Sequence, residues 1–216
     1  MLCTLGGDCH AALVIRFSLA FKDTLDGAEL TTHFFNHLLG STANGIHGQT
    51  AENESHVWNE IKLDNEWYHT DVTWNDGDSE NIILYRYFNI TDTEIKKDHK
   101  ISPLYSAVSS KDFKEDTALN WFDIKAVGEK YNYYEYYSLK LDGNNYRQLA
   151  SAIVKDRESG CAYTQFAVYD EVQLSGFESG KSFTKLQRAL NLTSYLINPP
   201  KIEKYSSVDN IILLFW

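Results

Sequence analysis

The stretch Glu54 to Asp76, ESHVWNEIKLDNEWYHTDVTWND, decides the reading of this chain. It holds Trp58, Trp67 and Trp74, two histidines, and acidic groups on both sides of Asp64-Asn65. That dipeptide reads as the tip of a two-residue hairpin turn. Leu63 then faces Glu66, and the register sets Trp58 against Asp71 and His56 against Thr73. Because strand side chains alternate, His56, Trp58 and Glu60 share one face. Asp71 falls on the same face, diagonal to His56, at a Cα separation of about 7–8 Å that side chains can bridge. A carboxylate there can accept a hydrogen bond from the imidazole and hold its tautomer, the part of the orienting group in a nucleophile–base pair.

A base and its orienter require a nucleophile. Cys9 stands where an apolar run begins, His10 to Lys22, which reads as a buried helix capped by Asp8. A thiol at a helix start feels the positive end of the helix dipole, and a nearby imidazolium lowers its pKa further. Cys3 has no helix after it, and Cys161 lies in a strand-like run and reads as a small core residue. Three cysteines form neither a disulfide framework nor a CxxC metal site.

The 216 residues suffice for one large or two small domains with a real core. A formal net charge of -10 argues against a nucleic-acid groove or an anionic membrane surface as partner. No apolar run approaches the ~18 residues of a membrane span, and no signal peptide precedes the first apolar run.

Along the chain, Ala28 to Leu39 reads as a strand and Gly40 to Ser55, rich in Gly, Ser, Asn and Thr, as a long loop. Asn81 to Ile90 is a strand or apolar segment, and Thr91 and Glu94 open a helix with a capping box. The polar stretch 101–130 reads as a linker. Beyond it, a strand-like Tyr-rich run from Tyr133, a helix from Asn145, a strand from Cys161, a helix from Lys181 and a final strand at Asn210–Trp216 make a small sheet with helices on it.

At this point the residues resemble a family. Gly7-Asp8-Cys9 before an apolar helix, His56-Val57-Trp58-Asn59, and Trp67-Tyr68-His69-Thr70-Asp71-Val72-Thr73-Trp74 look like the transglutaminase-like superfamily, over about residues 7 to 90. The resemblance implies an α+β fold: a papain-like core, one buried helix on an antiparallel sheet, in residues 1–100. A linker would follow at 101–130, and a small α/β domain at 131–216, as in bacterial-type members. It implies Cys9 as nucleophile, His56 as base and Asp71 as orienter. Trp58, Asn59, Trp67 and Trp74 would wall the site. No cofactor or metal is implied. The substrate would be a protein or peptide, and the location extracellular or at the cell envelope. Cys9 stands so near the first residue that a fragment lacking the family's upstream oxyanion-hole elements is the expectation. A missing donor of that kind costs about 10²–10³ in rate.

Other readings compete. A catalytically silent module would use the aromatic hairpin to bind a protein or glycan. His33 and His37 have the i, i+4 spacing of helical metal ligands, but the strand reading separates them and no zincin glutamate follows His33. The Trp side chains read first as packing, His69 as exposed beside the sheet, and the cluster Tyr131 to Tyr137 as a half-buried amphipathic strand.

Overall fold

The computed structural model describes residues 42–75, 82–101, 125–193 and 204–216. The expected helix at 10–22, the strand at 28–39, Cys3, Cys9, His33 and His37 lie outside the described residues. The chain is mixed α and β and divides into two compact units, with the boundary between Asn132 and Tyr133.

The first unit is built on a five-stranded antiparallel sheet. Its strands are β1 (Thr42–Thr50), β2 (Ser55–Leu63), β3 (Glu66–Thr70), β4 (Phe88–Ile90) and β5 (His99–Ile101), in the spatial order β4-β3-β2-β1-β5. A one-turn helix, α1 (Asp92–Ile95), joins β4 to β5. The β2–β3 hairpin has the register read from the sequence, Leu63 against Glu66 through Asn59 against Thr70. Asp64 and Asn65 both take positive φ, 46° and 70°. Such a pair matches the right-handed twist of the flanking strands, and short Asx side chains tolerate it.

The long loop expected at 40–55 is largely a strand. β1 pairs along its length with β2 and, over Gly48–Thr50, with β5, so one edge of its backbone is satisfied throughout and the other at its end. Its composition hides this. Gly48 lies opposite His56, and a Cβ on it would run into the Lys100 carbonyl oxygen and the Trp58 ring. Glycine is there for clearance, not for a turn. The strand expected at 81–90 shrinks to Phe88–Ile90, because Arg86-Tyr87 form a turn before it. Thr91 caps α1 as expected: its Oγ1 accepts the Glu94 N–H at 3.4 Å.

Both faces of the hairpin are buried, which no simple alternation of polar and apolar residues announces. One face carries Ile46, Trp58, Tyr87, Ile90 and Ile95 as an apolar cluster, with Trp74 against it. The other carries Ile61 and Tyr68, both fully buried. Residues 125–130, placed in the linker by composition, pack on this second face together with Tyr131. Gly128 sits so close to the Tyr68 ring that it has no room for a side chain, and Asn89 Nδ2 donates to the Tyr131 carbonyl at 3.0 Å.

The second unit has a four-stranded sheet in the order β6-β7-β9-β8. Its strands are β6 (Lys140–Leu141), β7 (Tyr163–Val168), β8 (Lys204–Val208) and β9 (Ile211–Phe215). β6 runs parallel to β7, and β7–β9 and β8–β9 are antiparallel. Its helices are α2 (Tyr133–Tyr136), α3 (Tyr146–Glu158), α4 (Glu171–Glu178) and α5 (Lys181–Thr193). The Tyr-rich strand expected from Tyr133 is a helical turn instead, with Tyr133 and Tyr134 buried and Tyr136 exposed. Leu149, Ile153, Leu186 and Leu190 form the fully buried stripes of α3 and α5. Asp170 caps α4 by accepting the Gln173 N–H at 2.8 Å. Among the described residues, no helix is long and apolar enough to cross a membrane.

Candidate active site

His56 is the second residue of β2, and Asp71 the first residue after β3. The hairpin register therefore brings their side chains onto one face, and His56 Nε2 lies 2.5 Å from Asp71 Oδ2. The local backbone fixes the carboxylate. The Asp71 N–H donates to the Tyr87 carbonyl at 3.0 Å, and the turn that follows returns the Trp74 N–H to Asp71 Oδ1 at 3.0 Å. Asn75 Oδ1 accepts the Tyr87 N–H at 2.8 Å and ties that turn to the start of β4. Asp71 is completely buried, while the His56 side chain keeps 13% exposure.

A third group joins them. His99 Nε2 lies 3.0 Å from the same Asp71 Oδ2, and its Nδ1 lies 2.6 Å from Asp98 Oδ1. Burial alone would raise the Asp71 carboxyl, but hydrogen bonds from His56 and His99 hold it below the ordinary range. Burial would lower His99, but Asp71 and Asp98 together hold it above an ordinary histidine. A neutral imidazole has one N–H; a ring with an acceptor at each nitrogen needs two. Between two ionised carboxylates, His99 would donate at both nitrogens, as an imidazolium does.

Aromatic rings seal the group. Trp58 stacks on His56 with centroids 6.2 Å apart, and Trp74 lies 5.3 Å from His56 and 4.4 Å from His99. Trp67 pairs with Lys62, nearer the turn, with Lys62 Nζ 5.9 Å over its ring. Asn59 pairs with Thr70 and so lies, by alternation, on the opposite face of the strand from His56.

A second polar cluster occupies the same face nearer the turn. His69, expected to be exposed, is fully buried, because it lies two residues before Asp71 and opposite Glu60. Trp58 Nε1–H donates to its Nδ1 at 3.1 Å, and its Nε2 meets Asp92 Oδ1 at 2.9 Å. The indole only donates, so His69 is neutral with its proton on Nε2. Burial lowers its proton affinity, in the same sense. Glu60 Oε1 is 3.9 Å from His69 Nε2, and burial together with the Asp92 charge raises the Glu60 carboxyl to about 8. Burial opposes the ionisation of Asp92, but hydrogen bonds from His69 and Lys96 hold its pKa low.

Two sets of side chains have donor atoms within reach of one ion, His56–Asp71–His99 and Glu60–His69–Asp92. The second does not suit a metal. A ligating imidazole turns its other nitrogen, as N–H, to an acceptor, and here that nitrogen faces the Trp58 donor. The first has the donor chemistry, two imidazole nitrogens and a carboxylate, but its 2.5 Å His56–Asp71 contact is a direct hydrogen bond.

With Nε2 turned to Asp71, His56 has Nδ1 for proton transfer, and among the described residues nothing engages it. Cys9 lies outside the described residues. Cys161, read as a small core residue, is buried and disulfide-bonded. Sequence reasoning missed His99, Asp98, His69 and Asp92. Glu60 and His69 carried a signal, since strand alternation puts both on the His56 face. His99 carried none. No protein-family model matches the chain, and no curated protein matches it.

Proposed function

We propose that the chain is a thiol-dependent acyl-transfer enzyme of the transglutaminase-like type, acting on amide bonds of a protein or peptide. Cys9 is its nucleophile, His56 its base and Asp71 the orienting group, on a papain-like arrangement of helix and sheet. The observation that carries the reading is the 2.5 Å contact of His56 Nε2 with a buried Asp71 carboxylate. The thiolate attacks the amide carbonyl carbon, and His56 gives its proton to the departing nitrogen as the C–N bond breaks. A thioester remains. Water, or an acceptor amine, then attacks with His56 as base; the C–S bond breaks and the thiolate returns. Trp58 and Trp74 keep bulk water off the imidazole–carboxylate pair.

The test is alkylation of the folded, mildly reduced chain with limiting iodoacetamide, followed by peptide mass mapping. Cys9 should react faster than Cys3 near neutral pH, and His56→Gln should remove the advantage. Equal rates for Cys9 and Cys3 in the folded chain would sink the assignment. Cys9→Ala should abolish amide hydrolysis or transamidation; a silent binding module would lose nothing by that change.

A further inference from the structure

We infer that His99 is a second histidine of this site, a positioning residue that shares Asp71 with His56, is itself held by Asp98, and fixes the carboxylate that orients His56. The inference rests on the reading of His56 and Asp71 as base and orienter.

The geometry carries it. Asp71 Oδ2 receives two imidazole N–H groups, from His56 at 2.5 Å and His99 at 3.0 Å, and its Oδ1 receives the Trp74 N–H. Its acceptor positions are thus directed by three donors from three segments. His99 is itself closely enclosed. It is 2% exposed, sits on β5 opposite Thr50, and is enclosed by Trp58, Trp74 and Tyr87 at centroid distances of 4.9, 4.4 and 5.4 Å. Its second nitrogen is anchored by Asp98, whose other oxygen accepts from Tyr87 Oη at 2.6 Å and Arg86 Nη2 at 3.2 Å. An anchored anion on one side and Asp71 on the other require two N–H groups, so the ring carries a charge.

That charge bears on Asp71. A second imidazole donor on the same oxygen that meets His56 helps hold the buried carboxyl below its ordinary range, as the anion that orients His56. Among the described residues, the charged or titratable groups around His99 are Asp71, Asp98 and His56, then Arg86 and Tyr87 behind Asp98, and His69 beyond Trp58.

The experiment is long-range ¹H–¹⁵N NMR of the imidazoles in the full chain, across pH, for wild type, His99→Gln and Asp98→Asn. In the wild type, His99 should remain doubly protonated through neutral pH while His56 shows the Nε2–H tautomer when neutral. His99→Gln keeps a donor for Asp71 but removes the charge. The Asp71 carboxyl should then protonate at higher pH than in the wild type, read from its ¹³C shift, with the His56 tautomer unchanged. Asp98→Asn should bring the loss of the second His99 proton toward an ordinary histidine, and it decides the matter if the glutamine variant does not fold. A wild-type His99 that is neutral at pH 7, or an Asp71 carboxyl that titrates in His99→Gln as it does in the wild type, overturns the inference. So does a melting point raised by zinc chloride alone in the wild type and not in His99→Gln, which would make His99 a ligand. Thiol alkylation is not a readout here, so a failed nucleophile and a failed His99 assignment remain separate results.

Discussion

Asp71→Asn isolates the charge on which the site is organised. Asp71 is fully buried, and its Oδ2 accepts from His56 and His99. If the amide oxygen of asparagine keeps the Trp74 N–H, an NH₂ group replaces Oδ2 and faces two imidazole N–H groups. Two charge-assisted bonds are lost, each worth about 1.5–3 kcal/mol, and His99 keeps only Asp98. Neutralisation of His99 recovers part of this, leaving a net loss of about 3–5 kcal/mol, the usual cost of removing one partner from a buried ion pair. In a chain of this size that is a melting point lower by on the order of 10 °C. The internal control is Asp64→Asn at the hairpin tip. Asp64 bonds Lys130 at 2.7 Å and Tyr131 at 2.5 Å, yet its side chain is 62% exposed, so water and salt screen both contacts. Its loss should leave the melting point almost unmoved. The sign with pH follows from the depressed Asp71 pKa: its contribution is present above the ordinary carboxylate range and lost as pH falls through the folded value. Urea unfolding of both variants at pH 7 and pH 4 measures this. Equal losses for the two variants, or an Asp71→Asn midpoint equal to wild type, would refute the burial argument.

Two further predictions stand on the same face of the sheet. Glu60 has a folded pKa raised to about 8, so its contribution is greatest below its unfolded value and is lost as pH rises through 8. Glu60→Gln mimics the protonated form and should remove up to about 1.4 kcal/mol of stability loss per pH unit in that window, read by urea titrations from pH 5 to pH 9; an unchanged slope would remove the case for a protonated Glu60. Gly48→Ala places a methyl against the Lys100 carbonyl and the Trp58 ring and should cost about 1–3 kcal/mol by differential scanning fluorimetry, where no loss would mean that β1 and β5 part easily.

Much of the first sheet was legible because its signals are local. A two-residue Asx turn sets the register, and the register alone places His56, Glu60, His69 and Asp71 on one side. Thr91 announced its helix through a side chain that reaches only three residues ahead. The helices of the second unit showed in their apolar spacing, and β9 showed as an apolar run buried along almost all its length. What failed was composition used as a proxy for structure. Thr42 to Thr50 contains Asn, two glycines, His and Gln, yet it is a strand, because β2 pairs with it along its length and β5 at its end.

The ribbon from Glu54 to Asp76 thus determined, by itself, which side chains share a face. It could not determine their charge. His99 arrives from 28 residues beyond Asp71 and Asp92 from 23 beyond His69, each by way of α1 or the strands flanking it. Only that assembly puts one histidine between two carboxylates and the other between an indole and a carboxylate. Proton occupancy depends on the acceptors and donors that surround a buried ring, and those are set by packing between distant segments, not by spacing along one strand.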